Sequence, residues 1–166
     1  MEVHSIETIF KALNEAGVQY LIVGGLAVNA HGYERLTVDV DLVIGLEPGN
    51  ITLALHALHS IGYQTAIPIA PEDFANREIR ETWRKEKQML VLRLWSETHR
   101  RTPIDVFVYE PFDFAREYER AKREPIIGAT LAPIVCYETL LAMKKEAGRD
   151  KDLLDIQKLT RLDPYR

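Results

Sequence analysis

Residues 20–44 read YLIVGGLAVNAHGYERLTVDVDLVI. The first four, Tyr20 to Val23, are apolar and rich in β-branched side chains, which favours a strand. Gly24-Gly25 ends that run. Leu26 to His31 has helix-forming composition, and Gly32 closes it. Val38 to Ile44 reads as a second strand that carries Asp39 and Asp41. Residues two apart on a strand share a face and lie about 6.5–7 Å apart. Both carboxylates therefore point one way, while Val38, Val40 and Leu42 point the other. Two such charges repel and cost stability unless a cation lies between them. Packing does not ask for two aspartates in an apolar strand; they read as a cation-binding pair or, more plainly, as the polarity of an exposed strand face.

Outward from this stretch the chain alternates helix and strand signals. Ser5 is placed to cap a first helix, with Ile6, Ile9, Phe10 and Leu13 at helical spacing and Gly17 as its stop. A strand over 18–23 follows. Arg35 and Thr37 precede Asp39 at alternating positions. Each has a plain alternative role, Arg35 as a solvated loop cation and Thr37 as a β-branched strand start. Glu47 to Asn50 reads as a turn. Ile51, Leu55, Leu58 and Ile61 form a helical stripe that Gly62 ends. His56 and His59 lie three apart on its other side; they could bind a metal, but a solvated face is the plainer reading.

A strand is expected over 63–69, then a loop or short helix to Arg80. Met89–Trp95 and Ile104–Tyr109 read as a hairpin pair joined by the polar, basic stretch 96–103. Asp105 lies opposite Ile104, Val106 and Val108, on the side of Phe107. A short helix is expected over 111–122, then extended pieces over 125–127 and 130–135. Residues 136–147 form a helix with Leu140, Leu141, Lys144 and Ala147 on one stripe. Lys144 there can bury its stem and send its ammonium out at the edge. Gly148 suits the C′ position. Asp152 reads as the N-cap of a last helix, with Asp155 in its first turn. Leu162-Asp163-Pro164 ends that helix.

At 166 residues the chain is expected to be one domain with a substantial core. Its 46% hydrophobic and 28% charged content is that of a soluble globular protein. A net charge of −4 gives no global basic field for nucleic acid. One cysteine, Cys136, excludes an internal disulfide and suits a cytoplasmic protein. The N-terminal MEVHSIETIF lacks the features of a signal peptide, and no apolar run is long enough to span a bilayer.

A Gly-Gly or Gly-Ser turn, a short helix, then Asp-x-Asp on the next strand resembles the nucleotidyltransferase fold of the DNA polymerase β superfamily. GGLAVNAHGYERLTVDVDLVI is most similar to the short branch related to the AbiEii-type toxin nucleotidyltransferases. PIDVFVY, with Asp105, stands where that family has its third strand carboxylate. LLAMKKEAGRDKDLLDI, residues 140–156, resembles its C-terminal helical element. The likeness covers most of the chain, and four pieces in order are more specific than any one. It implies an α/β fold, a mixed sheet flanked by helices with further helices at the C-terminus.

The resemblance also implies chemistry. Asp39, Asp41 and Asp105 would be catalytic and would hold Mg²⁺ or Mn²⁺, since hard cations take oxygen ligands. Gly24, Gly25, Arg35, Thr37 and Lys144 would bind the nucleotide. Many members carry Gly-Ser; here backbone amides would replace the missing hydroxyl. The implied reaction moves a nucleoside monophosphate from a nucleoside triphosphate to an acceptor hydroxyl on a tRNA end, a protein or a small molecule, with an antitoxin as a further partner. The alternatives are a catalytically inactive nucleotidyltransferase fold and a three-carboxylate phosphohydrolase. The three retained aspartates argue against the first, and the Gly-Gly turn against the second.

Overall fold

A computed structural model describes residues 1–162. Helix α1 (Val3–Glu15) buries Ile6, Ile9, Phe10 and Leu13, the stripe its sequence carries. Full burial of such side chains is worth about 1.5–3 kcal/mol each. Ser5 is inside α1, not its cap. Its hydroxyl is buried and lies 2.8 Å from His99 Nδ1, so its polarity serves a tertiary bond.

The next elements are β1 (Tyr20–Ile22), α2 (Gly24–Ala30), β2 (Val40–Ile44), α3 (Pro48–Ser60) and β3 (Tyr63–Thr65). Four boundaries differ from the sequence reading. Gly24-Gly25 is the first turn of α2 and not a link before it. β2 begins at Val40, and Val38 is 68% exposed instead of facing the core. Pro48 starts α3, because its fixed φ suits the first helical turn. The strand expected over 63–69 stops at Thr65, before Pro68.

Two helices follow, α4 (Pro71–Ala75) and α5 (Arg77–Glu86). Asn76 separates them and caps α5, its side chain accepting from the amides of Glu78 and Ile79. The hairpin is β4 (Val91–Ser96) and β5 (Ile104–Phe107). Then come α6 (Phe114–Arg120), β6 (Lys122–Pro125), β7 (Leu131–Ile134), α7 (Tyr137–Ala147) and α8 (Asp150–Leu162). Gly148 stops α7 with φ +60°, as a C-terminal glycine should. Asp163 and Pro164 lie outside the described residues.

The seven strands form one mixed sheet in the order β3-β4-β5-β2-β1-β7-β6. β1 runs antiparallel to β2 and parallel to β7; β2 runs parallel to β5. β4 is antiparallel to both β3 and β5. The α/β expectation is thus met, with antiparallel strands extending a mixed centre in which β2 is parallel to β5 and antiparallel to β1. The register places Asp41 directly beside Asp105, and Arg93 directly beside Asp105 on the other side. Tyr20, Leu21, Ile22, Val40, Leu42 and Ile104 are wholly buried and make the sheet's contribution to the core. Among the described residues, no helix is long and apolar enough to cross a membrane.

Candidate active site

Asp105 on β5, Asp41 on β2 and Asp39 just before β2 come together. Each offers a carboxylate oxygen, and these oxygens lie within 4.8 Å of one another. Asp105 is buried; Asp39 and Asp41 are half-buried. Asp41 is pushed up to about 7, chiefly by burial and next by the charges of Asp39 and Asp105. A bond from the Gly25 amide and the charge of Lys144 oppose that shift and do not cancel it.

The two glycines have separate reasons. Gly24 sits at φ +63°, and a Cβ there would lie 1.9 Å from Asp41 Oδ2. Backbone conformation and close approach both exclude a side chain. A Cβ on Gly25 would lie 2.2 Å from Thr37 Oγ1. The Thr37 hydroxyl thus fills the space that a side chain at position 25 would enter. Gly24-Gly25 in place of Gly-Ser is therefore matched by a hydroxyl arriving from the neighbouring loop.

A second set of charges lines the same cavity. Arg35 donates to both oxygens of Asp155, from Nε at 2.6 Å and Nη2 at 2.8 Å. Lys144 Nζ lies 3.0 Å from Asp152 and 2.9 Å from Asp155. Arg149 Nε lies 2.6 Å from Asp152. Both aspartates are fully buried. Burial alone would raise them, but Arg35 and Lys144 together hold Asp155 below the usual carboxylate range, and Arg149 and Lys144 do the same for Asp152. Three cations thus surround two carboxylates.

This network corrects two sequence readings. Asp152 is not an N-cap, since α8 starts at Asp150; it and Asp155 face inward as counter-ions. Lys144 does not send its ammonium out at the edge. It is 6% exposed and bracketed by the two aspartates. Arg35, half-buried, is likewise no free loop cation. His56 and His59 are both exposed on α3, as a solvated face requires.

Sequence reading missed Arg93. Its Nε lies 2.8 Å from Asp105 Oδ1, and its Nη2 lies 2.7 Å from Asp105 Oδ2 and 3.5 Å from Asp39 Oδ2. An arginine between Leu92 and Leu94 on an apolar strand was the signal available.

Gly24, Gly25, Arg35, Thr37, Asp39, Asp41, Asp105 and Lys144 all line one cavity of about 650 Å³. The rest of its lining is more apolar, with Leu90, Val91, Phe107, Tyr109 and Met143. The Arg84 guanidinium lies 4.0 Å over the Tyr109 ring.

No family model matches this chain, and no curated protein does. Solved structures do. The lincomycin-bound lincosamide antibiotic adenylyltransferase LnuA aligns with a TM-score of 0.55 at 16% identity, over 92% of both chains. An antigenic nucleotidyltransferase-like protein from Paracoccidioides brasiliensis aligns with a TM-score of 0.54 at 18% identity, over 96% of this chain and 75% of that one. At such identities the likeness speaks to the fold, and the chain has the nucleotidyltransferase fold.

Proposed function

We propose that this protein is a metal-dependent nucleotidyltransferase that moves a nucleoside monophosphate from a nucleoside triphosphate to a hydroxyl of a small molecule, releasing pyrophosphate. The observation that carries the reading is a three-carboxylate cluster sharing one cavity with a wall of fixed cations. The donor set suits Mg²⁺ or Mn²⁺: it is all carboxylate oxygen, and a guanidinium already stands against two of the three groups. Asp39, Asp41 and Asp105 would hold the ions, which when bound polarise the transferring phosphoryl group and acidify the attacking hydroxyl.

The chain's own residues do the rest. Gly24 and Gly25 leave room for the Asp41 carboxylate and the Thr37 hydroxyl to close on the turn, and that hydroxyl donates to the polyphosphate. Arg35 and Lys144 offset charge on the departing pyrophosphate. Asp152 and Asp155 fix those cations beforehand, so little reordering is needed as charge develops. Asp105 accepts the proton of the attacking hydroxyl.

A small acceptor is favoured by the cavity, whose volume falls within the roughly 300–1,000 Å³ usual for small-molecule sites. The bound molecule in one matched structure is an antibiotic. The net charge of −4 offers no field for a tRNA end.

The test offers labelled ATP, CTP, GTP and UTP, with Mg²⁺, Mn²⁺ or chelator, to separate metabolite, tRNA and protein fractions of a cell extract. Label is expected in the metabolite fraction by mass spectrometry, only with a divalent ion, and not with Asp41→Asn. Label in tRNA or protein refutes the small acceptor and points to a toxin-like role with an antitoxin. Nucleotide binding without transfer to any fraction makes the chain an inactive member of the fold.

A further inference from the structure

Arg93 sits in the middle of β4, 52% exposed at its side chain, with buried Leu92 and Leu94 on either side. Sheet register places it directly across from Asp105. Its position is therefore set by ladder hydrogen bonds and not by a mobile loop. Its guanidinium grips both Asp105 oxygens and reaches Asp39. These are two of the three carboxylates that form the cluster, and both oxygens of Asp105 are taken.

A carboxylate engaged at both oxygens by a guanidinium cannot also give them freely to a divalent ion. The third carboxylate, Asp41, makes no contact with Arg93 and relies on the Gly25 amide. Among the described residues Arg93 is the cation in direct contact with the cluster, and it stands where a hard cation would bind.

On the reading that the cluster holds a divalent ion, we infer that Arg93 and that ion compete for Asp105. The arginine holds the cluster together when no ion is present and must release Asp105 for one to bind. It is a positioning residue that sets metal affinity, and through it the concentration of ion at which the site loads. Because Arg93 lines the same cavity, the released guanidinium stays beside the cluster on its strand.

Mn²⁺ binding to the protein without nucleotide, followed by the electron paramagnetic resonance of free Mn²⁺, tests this directly. Arg93→Gln removes the charge and the fork. Arg93→Lys keeps the charge without the planar fork and guards against a failure to fold. Arg100→Gln, exposed on the 96–103 connection and paired with Glu97 instead of the cluster, removes the same charge elsewhere.

Arg93→Gln is expected to bind Mn²⁺ about tenfold more tightly than wild type, equivalent to about 1.4 kcal/mol. Arg93→Lys falls between, and Arg100→Gln matches wild type. In chelator Arg93→Gln melts lower than wild type, and Mn²⁺ raises its melting temperature further than it raises that of wild type. Equal or weaker Mn²⁺ binding in Arg93→Gln overturns the competition while leaving the metal site standing. A tenfold gain in Arg100→Gln as well overturns it, since the effect is then long-range charge. No Mn²⁺ binding by wild type or either Arg93 variant overturns the metal site and the competition together.

Discussion

Replacing Asp41 by Asn should stabilise the fold in chelator while abolishing nucleotide transfer. Asp41 is raised from 3.8 to about 7 by burial and by the two neighbouring carboxylates. The unfolded chain releases this proton near pH 4 and the folded chain near pH 7. Between those values the native state binds more protons, so stability falls as pH rises. Below about pH 4 the charge costs nothing, and above about pH 7 the cost is complete. At about 1.36 kcal/mol per pH unit the ceiling is roughly 4 kcal/mol, and relaxation around the group brings the expected gain to about 2–4 kcal/mol. Asparagine keeps the shape and an oxygen to accept from the Gly25 amide. For a chain of this length each kcal/mol moves the melting temperature by about 2–4 °C. The assay is thermal melting of both proteins in chelator at pH 5, 6, 7 and 8. The gap should widen steadily from pH 5 and level off above pH 7. Added Mg²⁺ should close or reverse it, because only wild type keeps the full ligand set. A variant less stable than wild type at pH 8 in chelator, or a gap independent of pH, would refute the reasoning and make Asp41 a structural residue.

Three further outcomes are expected. Gly25→Ser should collide with Thr37, at both its hydroxyl and its Cβ, and lower stability by about 1–3 kcal/mol, while in the Thr37→Gly background the same change costs less; a double-mutant cycle in urea measures the coupling, and simple additivity rejects the shared space. Lys144→Ala should cost about 3–5 kcal/mol, because it strips a cation from two buried carboxylates; chemical denaturation checks it, with Lys151→Ala as the exposed control. Asp155→Asn should lose the stability that a lowered carboxyl contributes, which is present above about pH 4 and fades as pH falls through the lowered value. The deficit against wild type, followed by acid titration of tryptophan fluorescence, should therefore shrink below pH 4.

The parts of the site that were legible in sequence are those whose geometry is local. Asp39 and Asp41 share a face by strand parity alone, and Gly24-Gly25 between a strand and a helix needs no distant partner to be noticed. Asp105 was legible because it breaks an apolar strand. Arg93 breaks one equally, yet its partner depends on hairpin register across residues 96–103, and a connection of that length does not set register. Asp152 and Asp155 were misread because a local rule, aspartate near a helix start, competed with a tertiary one. The burial of Lys144 decides between them, and burial of a lysine is not written in its neighbours. The loop or short helix expected up to Arg80 did not reach the end of α5 for a similar reason: REIRETWRKE is almost all polar, with Trp83 as its main inward anchor.

Direct pairing of Asp41 with Asp105 in the parallel ladder gives the carboxylate cluster a fixed gauge. Adjacent strands stand about 4.8 Å apart whatever their side chains, so the span across the cluster is inherited from the backbone. The lining residues that α5 and α7 contribute are not tied to that gauge. Arg84 on α5 and Met143 on α7 can be exchanged to suit acceptors of different shape while the distance between the acidic groups stays the same. An engineer seeking a new acceptor should therefore leave β2 and β5 untouched and randomise the lining positions of α5 and α7.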